Sequence, residues 1–216
     1  MQKIMFEHKR FRLEQAVIAG TKTMTRRRVL FPKGINDKDV KSAVMGIDRK
    51  GRVYFTFSTD IESFDIYPKY QIGERVAVAQ SYSDIFPDVR QELDKKGINL
   101  NVQKDGTKKG LVELAGWDNK MFVRADAMPH VIQITDIKAE RLQEISYDDC
   151  MAEGIMKGEF MITCDTFYFD EWGDVPNHKT FKTPHAAFAS LIDRLSGRGT
   201  WERNEWQFAY KFKLIK

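Results

Sequence analysis

The spacing of apolar and polar residues divides the chain into short elements with clear punctuation. Residues 11–18 (FRLEQAVI) place Leu13 and Val17 four apart, a helical spacing, and the run stops at Gly20, which tolerates the positive φ at which helices commonly end. Val53, Phe55 and Phe57 alternate with Tyr54 and Thr56 behind the turn-like Arg49-Lys50-Gly51, which predicts the second strand of a hairpin beginning near Ala43. Strands are also expected at 75–80 (RVAVAQ) and, from their β-branched residues, at 130–140 (HVIQITDIKAE). Ser146, with Asp149 three positions on, opens a short helix that Gly154 stops.

The last two elements carry the strongest signals. Thr183 is an N-cap before Pro184, and Phe188, Leu191, Ile192 and Leu195 follow at helical spacing up to Gly197, so this helix packs on a sheet. From 206 to 215, Trp206, Phe208, Tyr210, Phe212 and Leu214 take one face of a strand, while Gln207, Ala209, Lys211 and Lys213 take the other. Between the elements, roughly 84–119 and 156–182 are rich in charge, glycine and turn residues and read as irregular insertions. No repeat, heptad array or break in composition occurs, which predicts a single domain over 1–216.

Composition narrows the classes. A chain of 216 residues, 42% of them hydrophobic, can bury a core. No apolar run is long enough to span a membrane, and the charged start (MQKIMFEHKRFRLEQ) lacks the pattern of a signal peptide, so a cytoplasmic protein without membrane contact is expected. Cys150 and Cys164 are then read as free thiols. Their spacing with His178 and His185 fits no paired-ligand pattern, which argues against zinc. The net charge of +4, from 35 Lys and Arg against 31 Asp and Glu, permits a nucleic-acid partner without requiring one. Phosphate-loop, nucleophile-elbow and dinucleotide signatures are all missing, which disfavours nucleotide-driven motors, serine hydrolases and dehydrogenases, and no cofactor is implied.

The run 19–27 (AGTKTMTRR) contains Gly20, Lys22, Thr25 and Arg27 in the pattern G-x-K-x-x-T-x-R, and it resembles the signature of ASCH-domain proteins. Residues 70–82 (YQIGERVAVAQSY), Met128-Pro129-His130, 140–155 (ERLQEISYDDCMAEGI) and the closing segment from Phe188, with Gly199-Thr200-Trp201 and Asn204-Glu205-Trp206, agree in order. The resemblance is nearest to the longer ASCH proteins of phages, prophages and bacterial genomes. It implies an α+β fold, a PUA-like small β-barrel with flanking helices, and a cleft for RNA or a modified nucleoside. Two positions depart from the pattern: Gln80 stands where longer relatives often carry glutamate, and Ala186 where the short acetylcytidine amidohydrolases place a helical one.

The residues themselves allow two chemistries. Lys22, with its pKa lowered by burial or by Arg26, Arg27 and Arg28, is able to take a proton from Thr25, and the resemblance implies this pair as the catalytic residues of an amidohydrolase. Alternatively, Lys22, Arg26 and Arg27 bind phosphate while Thr23 and Thr25 supply hydrogen bonds. Tyr82 and Trp201 offer flat faces for an unstacked base, and Gln80 is able to read a base edge. The first reading is therefore an RNA-binding or modified-nucleoside-binding module. The alternatives are a hydrolase of a nucleoside amide or RNA phosphodiester, and a phage-related module that binds another protein.

Overall fold

In the computed structural model the described residues are 1–86, 93, 97, 99, 102, 106–107, 110–159, 165–170 and 179–215. Among them the fold is α+β. Ten strands run β1 (Gln2–Ile4), β2 (Met24–Arg28), β3 (Ser42–Ile47), β4 (Val53–Ser58), β5 (Ser63–Ile66), β6 (Arg75–Val78), β7 (Val131–Arg141), β8 (Met156–Glu159), β9 (Asp165–Tyr168) and β10 (Trp206–Leu214). The α-helices are α1 (Leu13–Ile18), α2 (Tyr82–Ile85), α3 (Tyr147–Ala152), α4 (Pro184–Ser196) and α5 (Thr200–Arg203). None of these helices is long and apolar enough to cross a membrane.

The chain forms two compact units, one of residues 1–6, 75–133 and 214–216, the other of 7–74 and 134–213. Composition shows no break between them because each is woven from segments distant in sequence. In the first unit β1 lies parallel to β6, Gln2 opposite Val76 and Ile4 opposite Val78, and β6 runs antiparallel to the first residues of β7. Val76, Ala77 and Val78 are all buried, so this strand is covered on both faces and its sequence shows no alternation. Beyond it, Ala79, Tyr82, Ile85, Leu114, Val123 and Met128 share one apolar cluster. Gly116 admits the Tyr82 ring, since a Cβ there would stand 2.7 Å from it.

In the second unit the rest of β7, then β10 and β2, lie side by side. β2 pairs antiparallel with β10, Arg27 opposite Phe208, Arg26 opposite Ala209 and Thr25 opposite Tyr210. β3, β4 and β5 form a separate antiparallel sheet. The alternation of β4 buries Val53, Phe55 and Phe57, and the Phe57 ring lies 5.2 Å from Phe31, 5.5 Å from Trp206 and 6.1 Å from Phe208. The aromatic face of β10 thus meets β4, while α4 covers the opposite face, where Phe188 lies under the Arg26 guanidinium.

This arrangement does not confirm the expectation that 53–58, 75–80, 130–140 and 206–215 share one closed or nearly closed barrel. β6, β7 and β10 belong to one sheet and β4 to another, and no closed barrel is found among the described residues. Interleaved aromatic side chains hold facing sheets roughly 10 Å apart, too far for backbone pairing. Between 156 and 182 the described residues are also less irregular than expected: β8 and β9 pair antiparallel, and Phe167 exchanges backbone bonds with Phe181. Charged residues at Lys157, Glu159 and Asp165 hide that pattern in the sequence.

Phe57 is completely buried at the meeting of the two sheets. Replacing it with alanine is expected to cost about 3–5 kcal/mol in urea unfolding. A loss near zero would mean that β4 does not pack on β10.

Candidate functional site

The signature segment is built from both ends. The N–H groups of Thr21 and Lys22 donate to the Ala16 carbonyl at 2.9 and 3.0 Å, closing the end of α1 and turning the Lys22 side chain inward. β2 is then the outer strand of its sheet, and the Thr23 N–H donates to the Ala152 carbonyl at 2.9 Å, so the C-terminus of α3 covers that edge. α3 starts where the Ser146 hydroxyl accepts from the Asp149 N–H, and it ends before Gly154, whose φ of +102° suits glycine. Glu153, between the helix and that glycine, is buried.

Its carboxylate joins two cations from the signature segment. Lys22 Nζ donates to Glu153 Oε2 at 2.5 Å and to the Glu153 carbonyl at 2.7 Å, at the helix end where the backbone dipole favours positive charge. Arg26 Nη1 donates to Glu153 Oε1 at 2.9 Å, and Nη2 donates to Glu140 and, at 3.5 Å, to Asp149. Lys138 completes the network with Glu140 at 3.1 Å and with Asp149. Three cations and three carboxylates, from the segment 22–26, β7, and α3 with its C-cap Glu153, therefore alternate through Arg26.

Burial is the largest influence on Lys22, and it holds the ammonium's pKa below the ordinary lysine value. Glu153 opposes this, and the guanidiniums of Arg27 and Arg26 push the same way as burial. Burial also works against the charges of Asp149 and Lys138, but Lys138 and Arg26 reverse it for Asp149, and Asp149 and Glu140 reverse it for Lys138, leaving Asp149 below and Lys138 above its ordinary value. The Cys150 thiol, buried on α3, is pushed up to about 12 by desolvation, only partly offset by Arg26, and is not a nucleophile near neutral pH.

The structure brings Lys22 and Arg26 together through Glu153, a residue the sequence reading did not single out. Among the described residues no hydrogen bond joins Lys22 to Thr25. Thr25, also buried, stands opposite Tyr210 and shares its strand face with Arg27, which is exposed. Thr23 is half-buried at the start of the strand, and its carbonyl accepts from the Phe212 N–H. Trp201 packs edge-on against Phe188 at 6.2 Å. In the first unit, Gln80 is buried with no hydrogen-bond partner for its Oε1, and the Tyr82 hydroxyl accepts from the Arg124 N–H at 2.9 Å. His185 bonds to the Ile145 carbonyl at 2.9 Å, and Cys164 and His178 lie outside the described residues.

A cleft of about 230 Å³ opens next to this network, lined by Phe11, Leu13, Ala16, Thr21, Gly154 and Ile155, with Gln15 and the paired Arg12 and Asp170 also on its wall. Thr21 and Gly154 are the chain neighbours of Lys22 and Glu153. No family model, no curated protein and no solved structure matches the chain.

Glu153→Gln should destabilise the protein by about 3–5 kcal/mol, because it leaves two buried cations sharing too little negative charge. Acid should act through Asp149. Its lowered pKa contributes stability that is complete above the ordinary carboxylate value and is lost as pH falls through the lowered one. The denaturation midpoint should therefore fall below about pH 4, and less so in Asp149→Asn. An identical acid limb in wild type and variant would exclude Asp149 as its source.

Proposed function

We infer that this chain is an ASCH-like module, with a PUA-like arrangement of sheets, that binds a nucleoside, free or within single-stranded RNA, at Thr25 and Arg27. The observation that carries this reading is the division of charge within the signature segment. Lys22 and Arg26 are buried against carboxylates, while Arg27 is exposed and shares its strand face with the buried Thr25. A guanidinium and a hydroxyl two residues apart on one face suit a phosphate or the polar edge of a base. The aromatic packing of β4 on β10 supports the PUA-like arrangement.

One observation favours a second reading, hydrolysis of a nucleoside amide such as acetylated cytidine. Such chemistry needs a base, a nucleophile and an acid, and Glu153 is an acid in direct contact with the candidate base Lys22. Glu153 contributes from α3, where neither Gln80 nor Ala186 would have directed attention.

Titration with short single-stranded RNA at increasing salt tests the first reading. Arg27→Ala should weaken binding and flatten the salt slope by about 0.7, the value of one phosphate contact on a single strand. Binding that is unchanged in Arg27→Ala excludes this strand as the interface. An acetate-release assay on acetylcytidine tests the second. Turnover would require neutral Lys22 and rise with pH through its lowered pKa, whereas binding through Arg27 should stay level over that range because guanidinium keeps its charge. Robust turnover that is lost in Lys22→Ala, Thr25→Ala and Glu153→Gln would decide for the hydrolase.

A further inference from the structure

The hairpin of β3 and β4 ends in an open edge. β3 is the outer strand of its sheet, and among the described residues no strand pairs with its far side. The Asp48 N–H donates to the Arg52 carbonyl and continues the β3–β4 register, so the even-numbered residues of β3 exchange bonds with β4. Ala43, Met45 and Ile47 therefore turn their N–H and C=O groups outward. Proteins ordinarily blunt such an edge with lysine, proline or a bulge. Ser42–Ile47 (SAVMGI) has no charge and no proline, and Val44, Met45 and Ile47 are 64%, 50% and 65% exposed. Met45 and Ile47 stand opposite the buried Phe55 and Val53, so they carry the apolar inner face of the sheet out to its rim.

Charge is confined to the two ends of this strip and differs in sign between them. The β3–β4 turn presents Arg49, Lys50 and Arg52 around Asp48, with Arg52 paired to it at 2.8 Å. The other end presents Asp39, Asp60 and Glu62 around Lys41, which lies 3.7 Å from Asp60. If a second copy lies antiparallel along β3, a two-fold axis near Val44 and Met45 sets each basic turn against the other copy's acidic end. A parallel alignment would set like charges together.

We propose that β3 is a self-pairing edge, through which two copies of this chain join antiparallel and merge their three-stranded sheets into one. Backbone bonds from Ala43, Met45 and Ile47 hold the seam, Met45 and Ile47 become covered, and the charged ends fix the direction. This pairing is independent of the proposed nucleoside site.

Sedimentation velocity of the full chain over a wide concentration range tests the proposal. The expected result is a monomer–dimer equilibrium that weakens as salt is raised, because opposite charges flank the seam. Met45→Lys sets two ammonium groups across the axis and should weaken association by at least about tenfold while leaving the melting temperature nearly unchanged, since Met45 is half-exposed. A chain carrying Arg49→Glu and Lys50→Glu should fail to self-associate, yet pair with one carrying Asp60→Lys and Glu62→Lys. The proposal is overturned by a wild type that stays monomeric at the highest concentration and lowest salt, by a dimer indifferent to Met45→Lys, or by charge variants that show no rescue on mixing.

Discussion

The Glu153 carboxylate, shared between Lys22 and Arg26, is the contact on which the candidate site depends. A single buried lysine or arginine would be too costly to tolerate, and two within five residues of one segment would be worse. One carboxylate receiving both, with Glu140 and Asp149 on the far side of the guanidinium, makes the burial possible. The same contact fixes where the secondary structure goes. It draws the end of α1, the edge of β2 and the C-terminus of α3 to one point, and through Arg26 it connects them to β7 and to the ring of Phe188 on α4.

A network of this kind gives little net stability compared with a well-packed apolar replacement, so its value lies in what it specifies. Six charges arranged in alternation can be satisfied in few ways, whereas apolar residues at the same places could slide. The register of β2 matters because a slip by one residue would exchange Arg26 for Thr25 or Arg27 and put the wrong side chain toward the carboxylates. Glu153 therefore determines, by holding Arg26, which face Thr25 and Arg27 occupy. The buried charges position the segment and place Thr25 and Arg27 on its other face.

Much of the fold is legible in the sequence where the signal is local. Thr183 with Pro184, Ser146 with Gly154, and the alternation of 206–214 correspond to observed caps and strands, because each depends on residues within a few positions. β2 is harder to read because three consecutive arginines suggest a solvated loop, and it is a strand only because Glu140, Asp149 and Glu153 neutralise the first of them, Arg26. β8 and β9 were hidden by charge in the same way. The separation of β4 from the larger sheet depends on how many aromatic rings fit between two layers, which is a property of the assembled core. At the site, Lys22, Thr25 and Arg27 stood out through a short pattern, but Glu153 did not. It lies 131 positions from Lys22, and on its own helix it resembles an ordinary polar residue before a stop glycine.

These relations change how the basic signature should be weighed. Counted from the sequence, Lys22, Arg26, Arg27 and Arg28 look like a patch that follows a polyanionic backbone. In the folded chain Lys22 and Arg26 are buried against carboxylates, and Arg28 is paired with Glu205 at 2.9 Å. Opposite charges held this close largely cancel beyond a Debye length, so the four cations do not add up to an open basic patch. On the proposed reading, a segment with so few of its cations open to solvent suits recognition of a single nucleoside unit better than of an extended strand. That is why binding at this strand is expected to depend on salt with the slope of about one phosphate contact rather than of several.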